Sequence, residues 1–382
     1  MKIGLGLYRN SLDNRNFQFA KQAGATHIVA HLTDYFGETN PEISSGGDDG
    51  WGVTTEARAW NEAELKALVA DIRAHGLELA AIENFNPAQW HDILLDGPGK
   101  DAQIEIVKQT IRAAGNAGVP TIGYNFSIAG VWGWTRGPYA RGGAMSVGFD
   151  MRTVDVSEPI PDGMVWNMRY RARRSDGVVG AISEVELWER LRWFLERVLP
   201  VAEECGVNLA LHPDDPPVDV MRGAARLVNR PEKYDRLIAI SPSRSNQIEL
   251  CLGSVQEMPE GRLDVYQTVD KYTREGRVGY IHFRNVKGKV PSYREVFVDE
   301  GDIDMARVVA ILHANDYQGV LIPDHTPALE CDASWHAGMA YALGYMRALV
   351  QLAEQGRLDS AYGDMTAYAH AGDYRHRARL KE

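Results

Sequence analysis

Residues 202–212 read AEECGVNLALH: the end of a helical run, a glycine, a short apolar run and a histidine. Glycine tolerates the left-handed backbone that closes a helix, so Gly206 marks the turn from helix into strand. The same pattern recurs at AGATHIV (23–29), HGLELAAI (75–82), AGVPTIGY (117–124) and DYQGVLI (316–322). Repeated helix–glycine–strand units point to βαβ construction and a parallel sheet. Strands are predicted at 3–7, 27–31, 77–82, 121–124, 208–212, 247–252, 278–283 and 319–323, with helices over 62–75, 101–118, 183–205, 304–315 and 334–355. Eight such units suit a closed sheet better than an open one. The expected fold is an α/β protein of the (β/α)8 TIM barrel class, one domain over 1–355.

Two segments break that rhythm. Residues 125–182, containing VWGWTRGPYARGG, are far too long for an ordinary βα connection. They follow a strand, so they are expected on the catalytic face as a lid. Residues 31–60, with SSGGDDGWG, are expected on the same face. The polar stretch 356–382, ending RHRARLKE, is expected to be a tail that packs on a neighbouring subunit of a homo-oligomer or frays. No repeat beyond the βα unit and no low-complexity tract is found.

Composition narrows the partners. The 382 residues carry a formal charge of -11, which argues against nucleic acid, since phosphate binding needs clustered Lys and Arg. Three scattered cysteines do not make a secreted disulfide framework. The opening MKIGLGLYRN lacks the features of a signal peptide, and no apolar run reaches membrane-spanning length. A cytoplasmic enzyme acting on a small molecule is expected, with neither membrane nor nucleic acid as partner.

Barrel enzymes carry their chemistry on the last residue of a strand or just beyond it. Those positions hold Glu83, His212, Cys251, His282 and Asp324. Each alone has a structural explanation: a hydrogen-bonded histidine, a small buried cysteine, a turn-capping aspartate. Four of them, on successive strands five to eight, share one register and would converge on one arc of the mouth. A Cys/His/His/Asp set suits Mn, Fe(II) or Zn better than the oxygen-seeking Mg or Ca. Arg284, next to His282, can offer a planar fork to a carboxylate. The run YNFSIAGVWGWTR (124–136) adds polar groups, aromatics and Arg136.

The ordered set YNF (124–126), WTR (134–136), HPDDPP (212–217), IHFRN (281–285), GDIDM (301–305) and PDH (323–325) resembles the D-mannonate dehydratases. The resemblance covers about residues 24–349. It implies a xylose isomerase-like barrel that dehydrates D-mannonate to 2-keto-3-deoxy-D-gluconate with Mn2+ or Fe2+. It also implies His212, Cys251, His282 and Asp324 as the metal ligands, and His325 as an acid/base group. The substrate side is expected to comprise Glu83, Asn125, Trp134, Arg136, Arg284 and Asn285. This chain departs from the family in four places. Asn84 stands where the family tends to have serine, Gly133 where it usually has aspartate, Thr326 where it has glycine, and His336 aligns with a tyrosine that helps catalysis there.

A β-elimination needs a base for the C2 proton and an acid for the departing C3 hydroxyl. His325 and a second group, His336 or Tyr124, are the expected pair. Rival expectations are dehydration of another aldonic or uronic acid, a metal-dependent sugar isomerase or epimerase, and a non-catalytic sugar-acid-binding protein.

Overall fold

The structure is a computed structural model describing residues 1–35, 53–172 and 176–358. Eight strands form the barrel: β1 Lys2–Leu7, β2 His27–His31, β3 Glu78–Glu83, β4 Thr121–Tyr124, β5 Asn208–Leu211, β6 Asn246–Cys251, β7 Val278–His282 and β8 Val320–Ile322. Each lies parallel to the next, and β8 pairs with β1 through Lys2–Val320 and Ile3–Leu321, closing the sheet. The helices predicted from periodicity form at Glu62–Ala74, Lys100–Asn116, Glu184–Cys205, Met305–Ala314 and Ser334–Glu354. Further helices at Pro87–Leu95 and Val265–Arg274 were not predicted.

Strand side chains alternate between faces, and the apolar residues divide accordingly. Ile122, Leu209, Leu211, Ile248, Leu250, Ile281 and Leu321 point out into the large core beneath the helices. Ala210, Tyr280, Val320 and Ile322 form a separate cluster inside the barrel. That parity aims His212, Cys251, His282 and Asp324 inward, each two residues beyond an inward position. The helix Glu184–Cys205 starts on a Ser183–Glu186 capping box and buries Leu191, Phe194 and Leu195 completely. Burial stabilises each by about 1.5–3 kcal/mol.

Gly24, Gly76, Gly118 and Gly206 all have positive φ, as helix-ending glycines should. Gly319 does not. The left-handed position after Met305–Ala314 falls to Asp316, with φ 49. Gly319 is instead required by crowding, because a Cβ there would run into the ring of Tyr317.

Within 125–182, strands Thr135–Ala140 and Ala144–Asp150 form a hairpin, and its second strand pairs with Ser292–Val296. Ser292–Val296 is itself half of a hairpin with Asn285–Lys289 that follows β7. The result is a four-stranded antiparallel sheet joining the segment after β4 to the segment after β7. Residues 36–52 of the second expected insertion, and 359–382 of the expected tail, lie outside the described residues. No described helix is long and apolar enough to cross a membrane.

Candidate active site

On the β5–β8 side, His212, Cys251 and His282 bring donor atoms within 4.8 Å of one another. His212 Nδ1 lies 2.6 Å from the Pro213 carbonyl. A carbonyl only accepts, so Nδ1 carries a proton, and Nε2 is the nitrogen that a ligand would take. Burial lowers the His212 pKa, but Glu249 and Cys251 raise it to about 9, so an ion binding at Nε2 would displace a proton. The Cys251 thiol is buried, which would raise its pKa. The Arg284 guanidinium 3.4 Å from Sγ, with His212 and His282, outweighs burial and brings the thiol to about 5. A thiolate at neutral pH is the soft donor that a transition metal takes.

His282 sits among carboxylates. Its Nε2 is 3.0 Å from Glu249 Oε1 and 3.2 Å from Glu83 Oε2, while its Nδ1 is 3.4 Å from Asp324 Oδ2. It therefore belongs to a second possible cation-holding group, with Glu83 and Glu249. Glu249 is wholly buried, and apart from the close approach of His282 its oxygens have no hydrogen-bonding partner among the described residues. Burial and the nearby Glu83 raise its pKa. Two imidazoles, a thiolate, and carboxylates with unused lone pairs fit a divalent transition metal. Asp324, expected as fourth ligand, touches His282 without joining either three-residue group. Its backbone is left-handed, with φ 62.

Arg284 is buried, and its guanidinium is enclosed by anions. Nη2 donates to Asp215 at 2.6 Å and Ser254 at 2.9 Å, and Nη1 donates to Glu295. Glu257 stands 3.5 Å away and Asp324 3.4 Å. Arg284, expected to clamp a substrate carboxylate, lines the cavity; its Nη1 and Nη2 are engaged by Glu295, Asp215 and Ser254, while its Nε makes no hydrogen bond among the described residues. Burial opposes ionisation of Asp215, yet Arg284 and Tyr293 hold its pKa down at about 2. Glu257 goes the other way, well above the usual carboxylate range, through burial and the Asp215 charge.

His325 follows Asp324. Its Nδ1 is 3.0 Å from Glu295 Oε1, and its ring meets Trp134 edge-on at 5.4 Å. Burial lowers its pKa, but Asp324 and Glu295 together raise it to about 9.

The β1–β4 side is different. Tyr8, His31, Tyr35, Asn84 and Asn125 face the same cavity as His212, His282, Asp324 and His325. Asn84 has φ 69, a conformation asparagine tolerates better than most residues. Its Nδ2 donates to Tyr35 at 3.0 Å, and its Oδ1 accepts from Asn125 at 2.9 Å. Trp134 also lines the cavity, with Nε1 donating to Tyr293.

Four expected residues lie elsewhere. Tyr124 points outward from β4 into a cluster with Phe85, Trp90 and Phe194, because only the alternate position, Gly123, faces the barrel interior. Arg136 is exposed on the strand Thr135–Ala140 and does not line the cavity. Asn285 is a loop tie. Its amide donates to Val298 and Ile303 carbonyls, its oxygen accepts from Val286 and Ile303 amides, and a Cβ at Gly301 would overlap it. The IHFRN and GDIDM motifs thus meet for packing. His336 bonds Asn16 at 3.0 Å and packs on Phe19, away from the cavity lining.

Sequence reasoning missed Glu249, Glu295, His31 and Tyr35. Glu249 could have been found, since it stands two residues before Cys251 and shares its inward face. His31 ends β2 as His282 ends β7. Glu295 carried no signal, because its strand was not predicted.

The D-mannonate dehydratase family model matches residues 1–360. A mannonate dehydratase of Streptococcus suis is 34% identical over 283 residues, spanning 70% of this chain and 75% of the relative. One of Geobacillus thermodenitrificans is 30% identical over 291 residues, with 70% and 75% spanned. The crystal structure of mannonate dehydratase from Streptococcus suis serotype 2 aligns with a TM-score of 0.73 at 27% identity, covering 99% of this chain and 97% of that one. An L-ribulose 3-epimerase structure, at 17% identity, a TM-score of 0.52 and 93% and 96% coverage, shares the barrel architecture. On the family match and these relatives, the chain belongs to the D-mannonate dehydratase family.

Proposed function

We propose that this protein removes water from a sugar acid, D-mannonate first among candidates, to give 2-keto-3-deoxy-D-gluconate. The observation that carries this reading is the meeting of His212, Cys251 and His282 at one end of the barrel, with His325 beside them, in a chain of this family. His212, Cys251, His282 and Asp324 would hold Mn2+ or Fe2+. Bound there, the ion would polarise the acid's oxygens, make the C2 proton more acidic and draw the Asp324 charge away from His325.

The chain's own groups supply the rest. With the Asp324 charge taken up by the ion, His325, its Nδ1–H directed at Glu295, would give up its Nε2 proton more readily and present Nε2 as the proton acceptor for C2. Glu83, Asn84, Asn125 and Trp134 line the space for the sugar hydroxyls. The 125–182 lid would exclude bulk water from the reacting carbons. We take 1–355 as one barrel domain with 125–182 as its lid, and assign the protein to the cytoplasm as a homo-oligomer.

A second reading, a sugar isomerase or epimerase, draws on the Glu83–Glu249–His282 group, because such enzymes favour carboxylate-rich ligand sets. One experiment separates the two. Mn2+-loaded protein is offered a library of hexonates, uronates, aldoses and ketoses, and 2-keto-3-deoxy acid and isomerised sugar are both measured. Formation of the keto acid from D-mannonate supports the dehydratase; isomerisation without dehydration overturns it.

A further inference from the structure

A metal centre needs each imidazole turned so that one nitrogen can face the ion, and the two histidines here are turned in opposite ways. His212 directs its Nδ1–H at the Pro213 carbonyl, 2.6 Å away, and leaves Nε2 for a ligand. His282 is the reverse. Its Nε2 makes a hydrogen bond of 3.2 Å to Glu83 Oε2, while its Nδ1 is buried with no hydrogen bond among the described residues. That unbonded nitrogen lies 3.4 Å from Oδ2 of Asp324, the expected fourth ligand.

The partner on Nε2 comes from the far wall. Glu83 ends β3, and in the closed strand order β3 stands opposite β7, which His282 ends. A side chain must cross the barrel interior to make this contact, and a glutamate is long enough to do so. Glu83 is 5% exposed. His31 sits beside it in register on β2, but with Nε2 3.7 Å away, beyond hydrogen-bonding reach. Glu249 Oε1 comes within 3.0 Å of His282 Nε2 without forming a hydrogen bond, so Glu83 is the acceptor. A carboxylate taken out of water is costly unless it is paired, and this one is paired with an imidazole N–H.

We propose that Glu83 is a positioning residue of the metal centre: from the opposite wall it holds the Nε2–H of His282, so that His282 meets the ion through Nδ1. This rests on the metal centre of the dehydratase reading. A carboxylate that accepts from a ligating imidazole fixes the tautomer and tilt of the ring and makes its other nitrogen a stronger donor. Cys251 as thiolate and Asp324 already bring two negative charges to a divalent ion, so Glu83 is not needed to neutralise it. Its part is played through the ring of His282.

The test separates positioning from ligation and from packing. Full-length parent, Glu83→Gln and Glu83→Leu are loaded with Co2+. Affinity is measured by competition with a chelator, the sulfur-to-cobalt band is recorded, and the metal-free proteins are unfolded in denaturant. Glutamine keeps an oxygen for the Nε2–H and loses the charge; leucine keeps comparable bulk and loses both. Co2+ affinity should fall by no more than about tenfold in Glu83→Gln and by roughly 10–100-fold in Glu83→Leu. The sulfur band should persist in both, because no ligand has changed. The metal-free midpoint should hold or rise, since each change removes one of the three carboxylates around His282. Equal affinity in all three proteins overturns the proposal alone. So does a loss of affinity accompanied by a lower metal-free midpoint, which a purely structural residue would give. Co2+ bound by the parent without a sulfur band, and lost from both variants, would make Glu83 a ligand itself; that overturns the sulfur-containing centre, and this proposal with it.

Discussion

The two halves of the barrel mouth are built from opposite materials. Strands β5–β8 present a thiolate, two imidazoles and an arginine enclosed by Asp215, Glu257 and Glu295. Strands β1–β4 present hydroxyls and carboxamides linked in a chain, His31 to Tyr35 to Asn84 to Asn125. Glu83 touches both, at 3.2 Å from His282 and 3.7 Å from His31. The charged half suits a cation and the development of negative charge. The neutral half suits the reading of hydroxyl positions. Desolvated charges are costly unless paired, which is why the charged half is dense in mutual contacts.

If that division is right, damage on the two sides should differ in kind. The largest effect is expected from His325→Asn, which removes the proposed base and keeps the fold. Turnover should fall by about 10²–10⁴-fold with metal content unchanged, measured by steady-state assay and elemental analysis of one preparation. Loss of metal instead would mean that His325 serves the ion and not the proton.

Arg284→Met should act on stability. It strands the buried charges of Asp215 and Glu295 and takes a cation from beside Cys251. Breaking one side of a buried ion pair costs about 3–5 kcal/mol, so denaturant unfolding should shift markedly to lower midpoint. An unchanged midpoint would show that the acidic groups simply protonate.

On the neutral half, Asn84→Ser restores the family residue and removes the link to Tyr35 and Asn125. One hydrogen bond is worth about 1 kcal/mol, so KM for the best acid should change about fivefold, with the order of preference among epimeric acids altered more than kcat. Identical preference in both proteins would remove Asn84 from recognition.

The smallest effect belongs to Tyr124→Phe. Its hydroxyl is buried without a hydrogen bond among the described residues, so its removal should be neutral or slightly stabilising, with kcat within about threefold of the parent. A large loss of kcat would return Tyr124 to the chemistry.

This contrast also explains what the sequence made legible. The charged half was readable because strand ends follow a period of two and a rule of position: His212, Cys251, His282 and Asp324 stand in the same register on successive strands. Glu249 was hidden inside the apolar run IELCLGS, although the same parity assigns it inward. The neutral half was largely unreadable, because Tyr35 and His31 owe their roles to contacts with Asn84 and Glu83, about 50 residues away. The state of Arg284 depends on four carboxylates, Asp215, Glu257, Glu295 and Asp324, far apart in the chain, and no local pattern announces that they surround it. Tyr124 and Asn285 were misplaced for a related reason: a family motif names residues, but whether each faces cavity or core is decided by strand parity and loop packing.

The central claim is that the metal belongs to the sulfur-containing half and not to the oxygen-rich group beneath it. Cobalt(II) loaded into the purified protein tests this most directly, because a thiolate ligand gives an intense sulfur-to-cobalt charge-transfer band in the near ultraviolet that carboxylates and imidazoles cannot give. One equivalent of Co2+ should produce that band in the parent and lose it in Cys251→Ser. Stoichiometric Co2+ binding with no such band in the parent would place the ion with Glu83, Glu249 and His282, and would contradict the account.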